Sequence, residues 1–120
     1  MALVKRVEKT ARLSRRALVK YQIMTHCFFN NVQISDADLE SLALLAESGE
    51  QELTFFCLSI SDQSIFKSPQ SARNAVAKAE KKKLIVKAGN NKKTIKLNPD
   101  IQVQSVGNIL LEYKFVSLES

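Results

Sequence analysis

The chain has 120 residues, 45% apolar and 25% charged, which allows one domain with a single core and excludes wholesale disorder. No apolar run approaches the roughly 20 residues needed to cross a bilayer. The basic N-terminus lacks the uninterrupted apolar stretch of a secretory signal. The formal net charge of +6 is strongly segregated. Residues 1–20 carry seven bases against Glu8, and residues 21–66 carry seven acids with no Lys or Arg. Residues 67–97 carry ten bases against Glu80, and residues 98–120 three acids against Lys114. Two basic blocks around an acidic middle favour a polyanion on particular faces. Cys27 and Cys57 lie in apolar segments and read as reduced core thiols, which suits a cytoplasmic compartment.

Residues 1–9 read as a flexible basic lead-in. From Thr10 to Asn30, the apolar residues Leu13, Ala17, Tyr21, Met24 and Phe28 recur at helical spacing, and Arg12, Arg15 and Arg16 fall largely opposite them. Asn30 and Asn31 mark a stop. A second helix is predicted over Ile34–Ala46. Ser35 is its N-cap, Asp36 and Asp38 lie in the first turn, and Ile34 and Leu39 are placed for a hydrophobic staple. Leu39, Leu42, Ala43 and Ala46 form its buried stripe, and Gly49 ends it.

A third, short helix is predicted over Glu50–Ser59, with Leu53, Phe56 and Cys57 inward; Ser61–Ser64 is a turn, and Ile65 and Phe66 tuck back onto the core. The fourth helix opens with Ser68 as cap and Pro69 at the first helical position, and runs to about Lys82. Projection at 100° per residue puts Pro69, Ala72, Val76 and Ala79 on one face. The reverse face then presents Lys67, Gln70, Ser71, Asn74, Lys78 and Lys81. Two β-prone runs, Leu84–Ala88 and Lys93–Leu97, flank a Gly-Asn-Asn turn and predict a hairpin. Ile101–Val106 and Ile109–Val116 are two further β-like runs. They are expected to form a hairpin on the chain's first helix or to lend a strand to a neighbouring subunit.

Helix, short helix, turn, longer helix and basic hairpin is an order of elements that resembles the winged helix-turn-helix superfamily of small bacterial, plasmid and phage regulators. The resemblance covers Ile34 to Pro99 and is carried chiefly by SPQSARNAVAKAEKKKLIVKAGNNKKTIKLNP. It implies an α+β fold in which the helix from Pro69 lies in the major groove of DNA and the Lys87–Lys93 hairpin is the wing. Gln70 and Asn74 would then pair with base edges, Ser71 with bases or phosphate, and Arg73 with phosphate. Lys67, Lys78, Lys81, Lys87, Lys92 and Lys93 would neutralise backbone charge beside Asn90 and Asn91. The wing departs from many relatives in having no Arg at its tip, which speaks against deep minor-groove reading. The ending GNILLEYKF after such a body also resembles a small protein of crAss-like tailed phages.

Nothing in the sequence supports catalysis. His26 sits on a predicted core helix, and there is no nucleophile elbow and no phosphate-binding glycine loop. Asp36, Asp38 and Glu40 read as charges near a helix start, and one His with two Cys makes no standard zinc site. No cofactor or metal is expected. The chain thus reads as a basic arm and helix over 1–33, a winged-helix domain over 34–99 and a β extension over 100–120. The expected function is binding of double-stranded DNA, as a transcription or replication regulator in a bacterial host cytoplasm. A homo-oligomer is expected because one module reads few base pairs, with Arg12, Arg15 and Arg16 as a secondary basic patch. The alternative is an assembly protein of a phage particle, making protein contacts through residues 101–116.

Overall fold

Local chemistry sets the helix boundaries. The computed structural model describes residues 2–10, 14–104 and 110–118, with side-chain surroundings given over 14–104. It contains α1 (Arg15–Phe29), α2 (Asp36–Ser48), α3 (Leu53–Asp62) and α4 (Pro69–Lys81). Three of these begin on a serine whose hydroxyl accepts a backbone N–H that the helix itself leaves unsatisfied. Ser14 accepts from Ala17, Ser68 accepts from Ser71, and Ser35 forms a reciprocal capping box with Asp38. The fourth, α3, has no side-chain cap; its first amide, Leu53, donates instead to the carbonyl of Lys93 at 2.9 Å.

The helix ends share a device as well. After α1, α3 and α4 the chain turns through a left-handed residue, Asn31, Ser64 and Lys83, with φ of 57°, 61° and 62°. The next residue in each case is Val32, Ile65 or Leu84, and its amide reaches back to Cys27, Ile60 or Ala79. This is the Schellman arrangement, with the apolar residue after the turn that usually accompanies it. The second helix ends at Gly49, whose φ of 76° is expensive for a residue with a Cβ.

Three short strands, β2 (Gln51–Glu52), β3 (Ile85–Ala88) and β4 (Thr94–Leu97), form an antiparallel sheet in the order β2-β4-β3. Ile85 pairs with Leu97 and Ala88 with Thr94, while Gln51 and Glu52 pair with Ile95 and Thr94. The start expected for α3 at Glu50 is thereby corrected to Leu53: the edge of β4 offers residues 51–52 strand hydrogen bonds. A second sheet joins β1 (Ala2–Thr10) to β5 (Leu110–Leu118) in an unbroken antiparallel register from Ala2–Leu118 to Thr10–Leu110. The lead-in expected to be flexible is therefore a strand, and the pairing of the two C-terminal runs is corrected too. Residues 101–104 form no strand, residues 105–109 lie outside the described residues, and β5 takes β1 as its partner.

All four helices contribute to one core, with Val19, Ile23 and Cys27 from α1, Leu42 and Leu45 from α2, Phe56 and Ile60 from α3, and Ala72 and Val76 from α4. Leu84, Ile85, Ile95 and Ile101 close it from the sheet side and the chain beyond. Burying each large aliphatic side chain is worth roughly 1.5–3 kcal/mol. The buried face of α1 differs from the expected one: Leu18, Val19, Ile23 and Cys27 point inward, whereas Met24 and Phe28 are exposed. This helix carries two apolar stripes about 140° apart, and helical spacing alone does not rank them. Pro69 likewise is exposed, although Ala72, Val76 and Ala79 on its predicted face are buried. Beyond β4, the Gln22 amide donates to the Gln104 carbonyl and accepts from its N–H, both at 2.7 Å, pinning the outgoing chain to α1.

Candidate functional site

The amphipathic character of α4 decides which of its side chains reach solvent. Its small residues Ala72, Val76 and Ala79 lie against the core, so the helix packs closely and its opposite face stands clear. On that face Gln70, Arg73, Asn74, Lys78 and Lys81 are exposed, with Lys67 just ahead of the cap. Gln70 donates through Nε2 to Asn74 Oδ1 at 3.1 Å, joining the two amides across one helical turn. The pair leaves the Asn74 NH2 as a donor and the Gln70 oxygen as an acceptor. Arg73 is turned toward α3, where its guanidinium donates to Thr54 Oγ1 at 2.9 Å. Ser71 is half-buried and engaged with Ser68, both through its amide and through its hydroxyl. It serves the helix start, and is not exposed like its neighbours Gln70 and Asn74.

The hairpin brings a second group of cations. Between Ala88 and Thr94 the chain turns through Gly89, Asn90, Asn91, Lys92 and Lys93, all exposed. Gly89 takes φ of 86°, and a Cβ there would stand 3.0 Å from Thr94 Oγ1. Lys92 takes the left-handed conformation that closes the loop, its amide reaching the Gly89 carbonyl. Because the Lys93 carbonyl accepts from the first amide of α3, the turn is anchored to the helix that precedes α4.

Ion pairing sorts the basic residues into two sets. Lys87 lies 3.9 Å from Glu80, Lys96 3.9 Å from Glu50, and Lys20 3.2 Å from Glu40. Arg16 forms a two-point pair with Glu47, with Nε–Oε1 at 3.1 Å and a second contact at 2.9 Å. The expected secondary patch is thus reduced: Arg16 is engaged by α2, Arg15 is exposed, and Arg12 lies outside the described residues. By contrast Lys67, Lys78, Lys81, Lys92 and Lys93 are exposed and make no ion pair with a described residue.

Two residues belong to this surface that the sequence reading did not single out. Thr54 orients Arg73, and no local pattern announces a contact across 19 residues. Lys83 is exposed at the left-handed turn after α4; the run of three lysines at 81–83 was its signal. Lys82, in the same run, instead donates to the Gln33 carbonyl at 2.6 Å. Among the described residues no helix is long and apolar enough to cross a membrane. In comparison with known proteins, the chain matches no family model, no curated protein and no solved structure.

Proposed function

We propose that the chain is a non-enzymatic, double-stranded-DNA-binding protein of winged-helix type. In this reading α4 enters the major groove and the β3–β4 turn is the wing. The supporting observation is the exposed stripe of amides and lysines along α4, continued by Lys92 and Lys93, with no acid drawing those lysines into ion pairs among the described residues. A fixed row of cations beside a narrow helix suits a phosphate-lined groove. The Gln70–Asn74 pair offers solvent both a donor and an acceptor, the groups that the N7 acceptor and N6 donor of adenine call for. Such a protein serves transcription or replication control.

Binding to a random duplex, followed by fluorescence anisotropy, tests the reading. Neutralising six phosphates through Lys67, Lys78, Lys81, Lys83, Lys92 and Lys93 predicts a log–log salt slope of about −5. Lys78→Glu with Lys81→Glu reduces that slope by about 2 and weakens binding to every sequence alike. Gln70→Ala with Asn74→Ala leaves the slope intact and blunts sequence preference instead. Binding that ignores salt, or that survives the two lysine reversals, overturns the proposal.

A further inference from the structure

The strand β5 has one neighbour, β1, and its other edge has no strand partner among the described residues. That edge is nine residues long, roughly 30 Å, and it contains no proline. Its register with β1 is unbroken, so no bulge twists the edge away. A two-stranded ribbon by itself is marginal in water, and three or more strands are the usual minimum for a stable sheet.

The order of residues along β5 is self-complementary. Around Tyr113 the segment reads Leu110, Leu111, Glu112, Tyr113, Lys114, Phe115, Val116. An antiparallel copy laid alongside, with Tyr113 facing Tyr113 of the second copy, sets apolar residues opposite apolar ones. Leu111 then faces Phe115, Leu110 faces Val116, and Glu112 faces Lys114. The charge inverts about the centre, as an isologous two-fold contact requires. The β1 strand has this property only next to its centre: the same operation about Val7 sets Arg6 opposite Glu8 but Lys5 opposite Lys9.

The register within the ribbon adds an independent argument. It sets Glu8 opposite Glu112 and Arg6 opposite Lys114, like charges at directly opposite register positions, which are unfavourable as cross-strand pairs. In a four-stranded sheet β1-β5-β5-β1, the row through Glu112 runs Glu8, Glu112, then Lys114 and Arg6 of the second copy. Each charge of β5 gains an opposite neighbour.

We infer that β5 is a homodimerisation strand, pairing antiparallel with β5 of a second copy across a two-fold axis at Tyr113. The dimer carries two α4 stripes, but the inference does not depend on what those stripes bind. Sedimentation equilibrium of the full chain reads it directly, with a species of twice the 13.4 kDa chain mass expected. Glu112→Lys places two lysines across the two-fold, and Lys114→Glu places two carboxylates there. Each is expected to raise the dimer dissociation constant roughly tenfold or more. Neither harms the ribbon within one chain, because each replaces a like-charge pair with β1 by an opposite one. Loss of the dimer is therefore not a folding defect. Mixing the two variants restores every complementary pair, so a 1:1 heterodimer should form at wild-type concentrations. A wild-type chain that stays monomeric, single variants that dimerise as tightly as wild type, or a mixture that yields no heterodimer overturns the inference.

Discussion

The Arg16–Glu47 pair shows how a single contact couples the acidic middle of the chain to its basic start. Two parallel hydrogen bonds join α1 to α2, and Lys20–Glu40 repeats the link along the same pair of helices. The hydrogen bond from Arg16 holds the Glu47 carboxyl below its usual value near 4.5, and the same bond raises the Arg16 guanidinium. A carboxylate depressed on folding stabilises the native state fully above its unfolded value and loses that contribution as pH falls through the folded one. Partial exposure of both groups limits the gain to about 1 kcal/mol. Glu47→Gln should therefore lower stability to urea by up to about that amount near neutral pH. The difference from wild type should close on acidification below about pH 4.5. Urea titrations at several pH values read the gap directly. A gap constant with pH would assign the effect of the variant to packing and not to the ion pair.

At the scale of elements, the end of α4 carries a conflict between stability and charge. Lys83 occupies the left-handed position after the helix, where glycine is favoured and a Cβ is strained. The turn is nevertheless complete, with Lys83 bonded to Glu80 and Leu84 to Ala79. A lysine held there places one more cation beside Lys81 at a conformational cost. Lys83→Gly should raise thermal stability by up to about 1 kcal/mol and, on the proposed function, weaken duplex DNA binding and lower its salt slope by about 1. Calorimetry together with a salt titration checks both signs. Much at this scale was legible in the sequence: Ser35, Ser68, Pro69 and Gly49 mark helix ends through bonds within a few residues. The exposed amides and lysines of α4 followed from the same reasoning, since the stripe Ala72–Val76–Ala79 fixes the buried side. What local chemistry did not contain was partner choice between distant segments. The pairing of β5 with β1, the capture of residues 51–52 by β4, and the loss of Arg16 to Glu47 each depend on segments brought together by the core.

Whether α1 is an appendage or a structural member is a property of the whole molecule, and the two thiols can report it. Cys27 on α1 is 3% exposed and Cys57 on α3 is 1% exposed, and both belong to the cluster that unites the four helices. Burial pushes both thiols up from their ordinary value, which suppresses the reactive thiolate in the folded state. Neither should react with an aromatic disulfide reagent near pH 8 unless the surrounding core opens. If α1 detached on its own, Cys27 would become reactive while Cys57 stayed protected, since local openings cost less than global unfolding. The shared core, reinforced by Arg16–Glu47 across the helices and by Gln22 gripping the backbone at Gln104, argues for one opening event. Labelling of Cys27→Ser and Cys57→Ser variants in increasing urea should therefore give rates of similar magnitude, both rising with the main unfolding transition. Early labelling at Cys27 alone would assign α1 to a separate, weaker unit and leave α2–α4 with the small sheet as the folding core.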